Sequence, residues 1–254
     1  MEHLTSRKSA LVQHFRRLAR DDSYRRENGE YLCEGVTALL DALAANAEIH
    51  RVVWCEKMPE NHLPISDAVQ QFTADKELFD YICPLQNAPG PVFTVALAQQ
   101  ILPGTIRTAV VLENLQDPGN VGTVIRTANA FGIDVVLLSG ACASPYNPKT
   151  VRATMGAIFR QPVAACSLAE LKEILSENGL HLLGAALTPS ASDIRSSPLE
   201  HCAVAIGSEG SGLSREMLSL CDGEIVIPMQ PESESLNAAV AASVCMWEMV
   251  RNKK

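Results

Sequence analysis

No C-x-x-C pair occurs in this chain of 254 residues, although it carries eight cysteines. Those at 33, 55, 83, 142, 166, 202, 221 and 245 are dispersed, whereas metal sites and disulfide frameworks both need closer clustering. Reduced thiols are therefore expected, and a cytoplasmic location with them. No apolar run is long enough to span a bilayer, so no membrane partner is expected. The start, Met1-Glu2-His3, soon turns basic and lacks the apolar core of a signal peptide. Positive charge is scarce overall. The net charge of −8 argues against a non-specific nucleic-acid binder. It leaves RNA open as a partner, because contacts depend on local basic patches. Internal repeats and low-complexity tracts are missing too.

What is present is a chain with 47% hydrophobic residues, enough for one large domain or two modest ones. Residues 1–30 concentrate Arg7, Lys8, Arg16, Arg17, Arg20, Arg25 and Arg26, while Leu11, Phe15 and Leu18 recur at helical spacing. A helix with one apolar stripe and a basic remainder is expected there. Arg16, Arg17 and Arg20 are candidate RNA contacts, the plainer alternative being a solvated helical face. Tyr31–Gly35 reads as a strand and turn, Val36–Ala45 as a helix and Arg51–Cys55 as a strand. Short strands and helices alternate to about residue 85, which predicts a small α/β module. The glycine- and proline-rich stretch that follows marks a boundary. Residues 1–95 are read as one domain, 96–106 as a linker and 107–254 as a second domain.

From Thr108 the pattern sharpens. Ala109–Leu112 and Val135–Ser139 are expected strands, with a helix over Val121–Phe131 ended by Gly132. Leu168–Asn178 reads as a helix closed by Gly179, with a strand over Leu180–Leu187. Further strands are expected at Ala203–Ile206 and Ile225–Ile227, and a terminal helix over Asn237–Arg251. Continuous apolar strands alternating with helices predict an α/β fold, its sheet mostly parallel and covered on both faces.

Three polar, glycine-bearing turns interrupt these apolar runs. The first, Asn114 to Gly122, leads into Arg126-Thr127-Ala128, with Asn120 placed as a helix cap and Arg126 sharing a face with Gly122. The second, Ile206-Gly207-Ser208-Glu209-Gly210-Ser211-Gly212-Leu213, follows a strand and precedes a helix-like Ser214–Leu220. That arrangement offers backbone N–H groups to a nucleotide. Its spacing is G-x-x-G-x-G and not the G-x-G-x-x-G of dinucleotide folds, so a Rossmann-type methyltransferase is the weaker alternative. The third joins Ile227-Pro228-Met229 to Ser233-Glu234-Ser235-Leu236-Asn237, with Ser235 read as the cap of the last helix. Taken alone, the first reads as an ordinary capped helix with a surface arginine, the second as a tight turn without a ligand and the third as a good helix cap.

Together and in this order the three turns resemble the motifs of the SpoU (TrmH-like) family of RNA ribose 2′-O-methyltransferases, of the SPOUT class. The resemblance spans roughly Thr108–Arg251 and implies a trefoil-knotted domain that binds S-adenosylmethionine and pairs as a homodimer. It places catalytic positions at Asn120, Arg126, Glu209, Ser235 and Asn237. Cofactor contacts are implied at Gly207, Ser208, Gly210, Ile227, Met229 and Leu236. The stretch Pro145–Ala157 resembles a family segment too, with Thr154 where serine is commoner, and Lys149 and Arg152 are read as RNA contacts. More weakly, residues 1–95 resemble the family's L30e-like substrate-binding domain, which favours ribosomal RNA over tRNA. No metal is implied. The rival from another class is an RNA-binding or ribosome-assembly factor that keeps the fold without turnover.

Overall fold

The computed structural model describes residues 2–57, 63–85, 88, 90–97, 102–230 and 235–251. The chain forms two compact units, one of Met1–Gln99 with Tyr146–Phe159, the other of Gln100–Pro145 with Arg160–Lys254. The segment Tyr146–Phe159, expected within the second domain, thus packs with the first unit.

The first unit begins with β1 (Glu2–Leu4), α1 (Ala10–Arg20), α2 (Asp22–Asn28), β2 (Glu30–Glu34) and α3 (Val36–Ala44). It continues with β3 (Ile49–Cys55), β4 (Gln70–Ala74), α4 (Lys76–Ile82) and β5 (Val92–Ala96). The expected basic helix is two helices. Asp21 ends α1 in extended backbone, and its carboxylate then caps α2 by accepting the Tyr24 N–H. Val12, Phe15 and Leu18 form the fully buried stripe of α1, and Leu11 is only half-buried. The sheet order is β1-β4-β3-β5-β2, with β5 antiparallel to both its neighbours and the other pairs parallel.

One buried polar cluster ties this unit together. Glu30 is 4% exposed and accepts from His14 Nε2 at 2.8 Å and from Arg51 at 2.9 Å, with His50 Nδ1 at 3.2 Å. Burial alone would raise its carboxyl. Hydrogen bonding to His14 and the charge of Arg51 outweigh that and hold it at about 2, against an ordinary 4.5. A depressed carboxyl contributes stability that is complete above the unfolded value and is lost as pH falls toward the folded one. This group should therefore cost about 2 kcal/mol between pH 6 and pH 3. Urea midpoints for the wild type and Glu30→Gln at both pH values check this. An equal acid loss in the two proteins contradicts it.

The second unit is built on β6 (Thr108–Glu113), α5 (Pro118–Phe131) and β7 (Val135–Ser139), after which α6 (Pro148–Ala153) belongs to the first unit. It resumes with β8 (Val163–Cys166), α7 (Leu168–Asn178), β9 (His181–Ala185), β10 (Ser192–Asp193) and β11 (Cys202–Ile206). Helix α8 (Arg215–Leu220), β12 (Gly223–Val226) and α9 (Ala238–Val250) complete it. Its seven strands run β10-β12-β9-β11-β6-β7-β8, every neighbouring pair parallel.

Strands β6, β7 and β11 are buried along their whole length, as parallel strands with both faces covered must be. Ala109 and Val111 pack with Leu171 and Leu175 of α7 and Met217 of α8. Helix α9 lies against β11 and β6, and α5 against α9. Strand β11 enters between β6 and β9, which departs from the doubly wound order expected of a Rossmann enzyme. Among the described residues no helix is long and apolar enough to cross a membrane.

Candidate active site

The first motif leaves β6 at Glu113. Asn114 follows in left-handed backbone, φ 55°, and its Oδ1 accepts the Ala141 N–H at 2.8 Å. Asp117 then caps α5 by accepting the Asn120 N–H, with Pro118 opening the helix. The cap expected at Asn120 is thereby corrected, because the proline starts the helix ahead of it. The Asn120 amide is engaged elsewhere. Its Nδ2 donates to Glu209 of the second motif. Asn237 Nδ2 donates to Asn120 Oδ1 at 3.1 Å and, at 3.5 Å, to Glu209 Oε1. One residue from each motif thus enters a single hydrogen-bonded cluster.

In the third motif the cap is Asn237, not Ser235. Its Oδ1 accepts the Ala239 and Val240 N–H groups at 3.0 and 3.2 Å. A side chain immediately before the helix reaches those donors, and one two residues further back does not. Ser235 instead lines a cleft. Ser233 and Glu234 lie outside the described residues.

That cleft has a volume of about 490 Å³ and takes in Gly207, Ser208, Ile227, Met229 and Leu236, together with Glu209. Gly210 is not part of its lining, and a Cβ added there meets nothing within 4 Å. The glycine with no room is Gly207, where a Cβ would stand 2.1 Å from the Gly212 carbonyl carbon. The loop closes through Gly212 N–H to Ser208 O at 2.9 Å, with Gly212 left-handed at φ 66°. Arg126 stands apart from the cleft lining. It is exposed on α5, with no hydrogen-bond or ion-pair partner among the described residues.

Two contributors escaped the sequence reading. Ala185, Ala186, Leu187 and Thr188 form a further wall of the cleft, where β9 runs out into small and apolar residues. Glu113, 4% exposed, accepts the Ser214 N–H at 2.7 Å and its hydroxyl at 2.6 Å. Since Ser214 caps α8, this carboxylate anchors the far end of the glycine loop to the central strand. A lone carboxylate ending an otherwise apolar strand was the available signal.

The basic candidates divide. Arg16 donates to the Tyr81 carbonyl at 2.5 Å and stacks on that ring at 3.8 Å, which is a structural use of its charge. Arg17 is exposed over the Tyr24 ring at 3.8 Å, and Arg20 is exposed. Lys149 and Arg152 sit on α6 in the first unit, whereas Arg126 is in the second. Arg152 donates to Glu34 at 2.7 Å.

Comparison with known proteins gives this geometry a family. Residues 107–247 match the model of the SpoU rRNA Methylase family. The chain belongs to the SpoU family. An uncharacterized tRNA/rRNA methyltransferase of Synechocystis sp. is 33% identical over 98% of this chain and 94% of its own. The 23S rRNA (guanosine(2553)-2′-O)-methyltransferase RlmP of Bacillus subtilis is 27% identical, covering 98% of this chain and 99% of its own. Among solved structures, an AdoMet-bound rRNA methyltransferase from Sinorhizobium meliloti superposes with a TM-score of 0.88. That protein is 25% identical, with 100% of this chain and 98% of the other covered. SpoU membership, with the sheet order above, removes the Rossmann-type alternative.

Proposed function

We propose that this SpoU protein transfers the methyl group of S-adenosylmethionine to a ribose 2′-hydroxyl of structured RNA, with ribosomal RNA favoured over tRNA. The observation that carries the reading is the meeting of Asn120, Glu209 and Asn237 in one hydrogen-bonded cluster, from positions far apart in sequence, with Glu209 also lining the cleft. Incorporation of labelled methyl groups into total RNA tests it, and separates it from an assembly factor without turnover. Mapping 2′-O-methyl sites in RNA from cells lacking the protein would name the nucleotide.

The cleft suits the cofactor in size, at about 490 Å³ within the range of about 300–1,000 Å³ usual for ligand pockets. Ile227, Met229, Leu213 and Leu236 supply apolar walls, and the Gly207–Gly212 turn brings backbone polar groups to the edge. When bound, the cofactor supplies an electrophilic sulfonium methyl. The chain's own task is to hold the 2′-hydroxyl in line and stabilise the charge that develops on it. Glu209 fixes the Asn120 and Asn237 amides, and Ser235 places a hydroxyl in the same cleft. Arg126 serves best as a fixed cation on the adjoining phosphate and the developing alkoxide. A guanidinium holds its proton and is a poor base.

The finer architecture belongs to the same proposal. The second domain, 107–254, is a trefoil knot, a reading supported by the late insertion of β11 between β6 and β9. An experimental chain trace that pulls straight when its ends are drawn apart would overturn it. The protein acts in the cytoplasm as a homodimer. Trp247 and Val240 on α9 are 53% and 49% exposed, and the Trp247 ring lies tilted against Phe131 of α5 with centroids 5.7 Å apart. Large apolar side chains so displayed suit burial against a second copy. Light scattering should report a dimer for the wild type and a monomer for Trp247→Asp. A stable wild-type monomer at micromolar concentration contradicts this.

Residues 1–95 serve as an L30e-like RNA-binding domain, joined by the 96–106 linker. Because Arg16 is engaged with Tyr81, the cleaner test reverses Arg17 and Arg20 in the full chain. RNA affinity should fall, and its salt dependence should flatten by about one unit of slope for each phosphate no longer neutralised. Affinity and slope equal to wild type would give this helix another role.

A further inference from the structure

We propose that Met155 is a base-contacting residue of the RNA-binding surface, its thioether packing against a nucleobase while Lys149 and Arg152 hold the flanking phosphates. The inference rests on the RNA-methyltransferase reading above and adds a residue that the family resemblance does not supply.

Two independent costs attach to Met155. It is 61% exposed, the most exposed large hydrophobic side chain among the described residues. It also lies in left-handed backbone, φ 48°, a conformation that disfavours any side chain with a Cβ. A loop selected only for stability would carry glycine or asparagine there. Side chains that combine exposure with backbone strain cluster where a ligand is gripped.

The loop is rigid. Thr154 ends α6 fully buried, its N–H bonded to Thr150 O at 3.1 Å and its hydroxyl to Val151 O at 2.6 Å. That bond needs only a hydroxyl, so threonine serves where serine was the commoner expectation. Met155 N–H reaches Arg152 O at 3.2 Å, and Ala157 N–H reaches Thr154 O at 3.1 Å. Gly156, φ 81°, is closed against Asp41, whose carboxylate oxygen would lie 2.2 Å from an added Cβ. The strain is thus held in place by its surroundings, and the methionine is presented outward on a fixed stalk.

The neighbouring charges indicate the occupant. Helix α6 turns Pro148, Thr150 and Val151 inward, with Val151 in the core beside Tyr31 and Trp54. Lys149 and Arg152 are exposed on α6, Arg152 also donating to Glu34 at 2.7 Å, and Met155 follows two residues beyond the end of that helix. An exposed, polarizable apolar side chain just past a helix that displays two cations matches a nucleotide, with one face to stack on and a phosphate to neutralise. A purely apolar protein partner would cover these exposed charged side chains and offer them no further polar contact.

The test is Met155→Gly in the full-length protein. Relief of the left-handed backbone should raise the melting temperature, and cofactor affinity should stay at the wild-type value. The KM for RNA should rise roughly tenfold, as expected when one base contact is weakened. Met155→Leu should restore most of the RNA affinity. If the glycine variant folds poorly, Met155→Asn tolerates the same backbone and carries the same expectation. Unchanged KM in the stabilised variant overturns the inference, as does a shift in oligomeric state in place of KM. Failure of the wild type to methylate any RNA sinks the underlying function instead, so the two failures are distinguishable.

Discussion

Arg126→Ala is expected to lower methyl transfer on the order of a thousandfold while leaving cofactor affinity close to wild type. The separation follows from where the residue stands. Its side chain is exposed on α5 and absent from the cleft lining that holds Gly207, Ile227 and Leu236. Removing it takes nothing from the proposed cofactor site, and alanine is the best helix former at an exposed helical position. The core of α5 rests on Val121, Val124, Ile125 and Ala128, so the fold should persist. What disappears is the one charge of the first motif that can meet a phosphate and a developing alkoxide. Arg126→Lys should fail nearly as badly, since an ammonium lacks the planar, forked donors of a guanidinium. Single-turnover rates at saturating RNA, beside calorimetric cofactor binding, check both variants. Near-normal turnover in the alanine protein would sink the assignment.

Legibility in the sequence varied with how local the deciding physics is. Helix α7 was readable to the residue because both ends are locally specified. Ser167 and Glu170 form a reciprocal capping box, and Gly179 takes the left-handed turn that ends the helix. Strand β7 was equally plain as a buried apolar run. The caps of α5 and α9 were misplaced because each neighbourhood offers several cap-competent side chains. The choice between them falls to where each helix begins, since Pro118 opens α5 ahead of Asn120 and Asn237, not Ser235, stands immediately before α9. Strand β8, only four residues long and directly after Pro162, has too little pattern to read.

In the site, the motif positions were visible singly, but their meeting was not. Asn237 and Asn120 are 117 residues apart, and only the parallel sheet brings them together. The fate of individual charges was also invisible, since Arg16 and Arg17 look alike in sequence and only one is bonded to a backbone carbonyl. The glycine loop had the same ambiguity, for its spacing does not reveal which glycine is closed against backbone.

That last distinction yields the second large effect. Gly207→Ala should weaken cofactor binding roughly tenfold to a hundredfold, whereas Gly210→Val should leave it nearly intact. At Gly207 a Cβ would stand 2.1 Å from Gly212 C, 2.2 Å from its oxygen and 2.4 Å from Leu213 N. All three are backbone atoms, so no flexible side chain can swing aside. Relief requires opening the turn that Gly212 N–H and Ser208 O close at 2.9 Å. That displaces Ser208, Glu209 and Leu213 together, all of them lining the cleft. Overpacking of this kind costs about 1–3 kcal/mol, equivalent to roughly tenfold to a hundredfold in affinity if it falls wholly on the bound state. Separation of Glu209 from Asn120 adds to it. Strand β11 ends at Ile206 and remains paired with β6 and β9, so the fold should survive with a lowered melting temperature. At Gly210 the added side chain meets open space, and φ there is not left-handed. Calorimetry on the two variants, with circular dichroism as the check on folding, decides the matter. Wild-type affinity in Gly207→Ala would mean that this turn is no part of the cofactor site, and equal damage from Gly210→Val would mean that the backbone clash is not the cause.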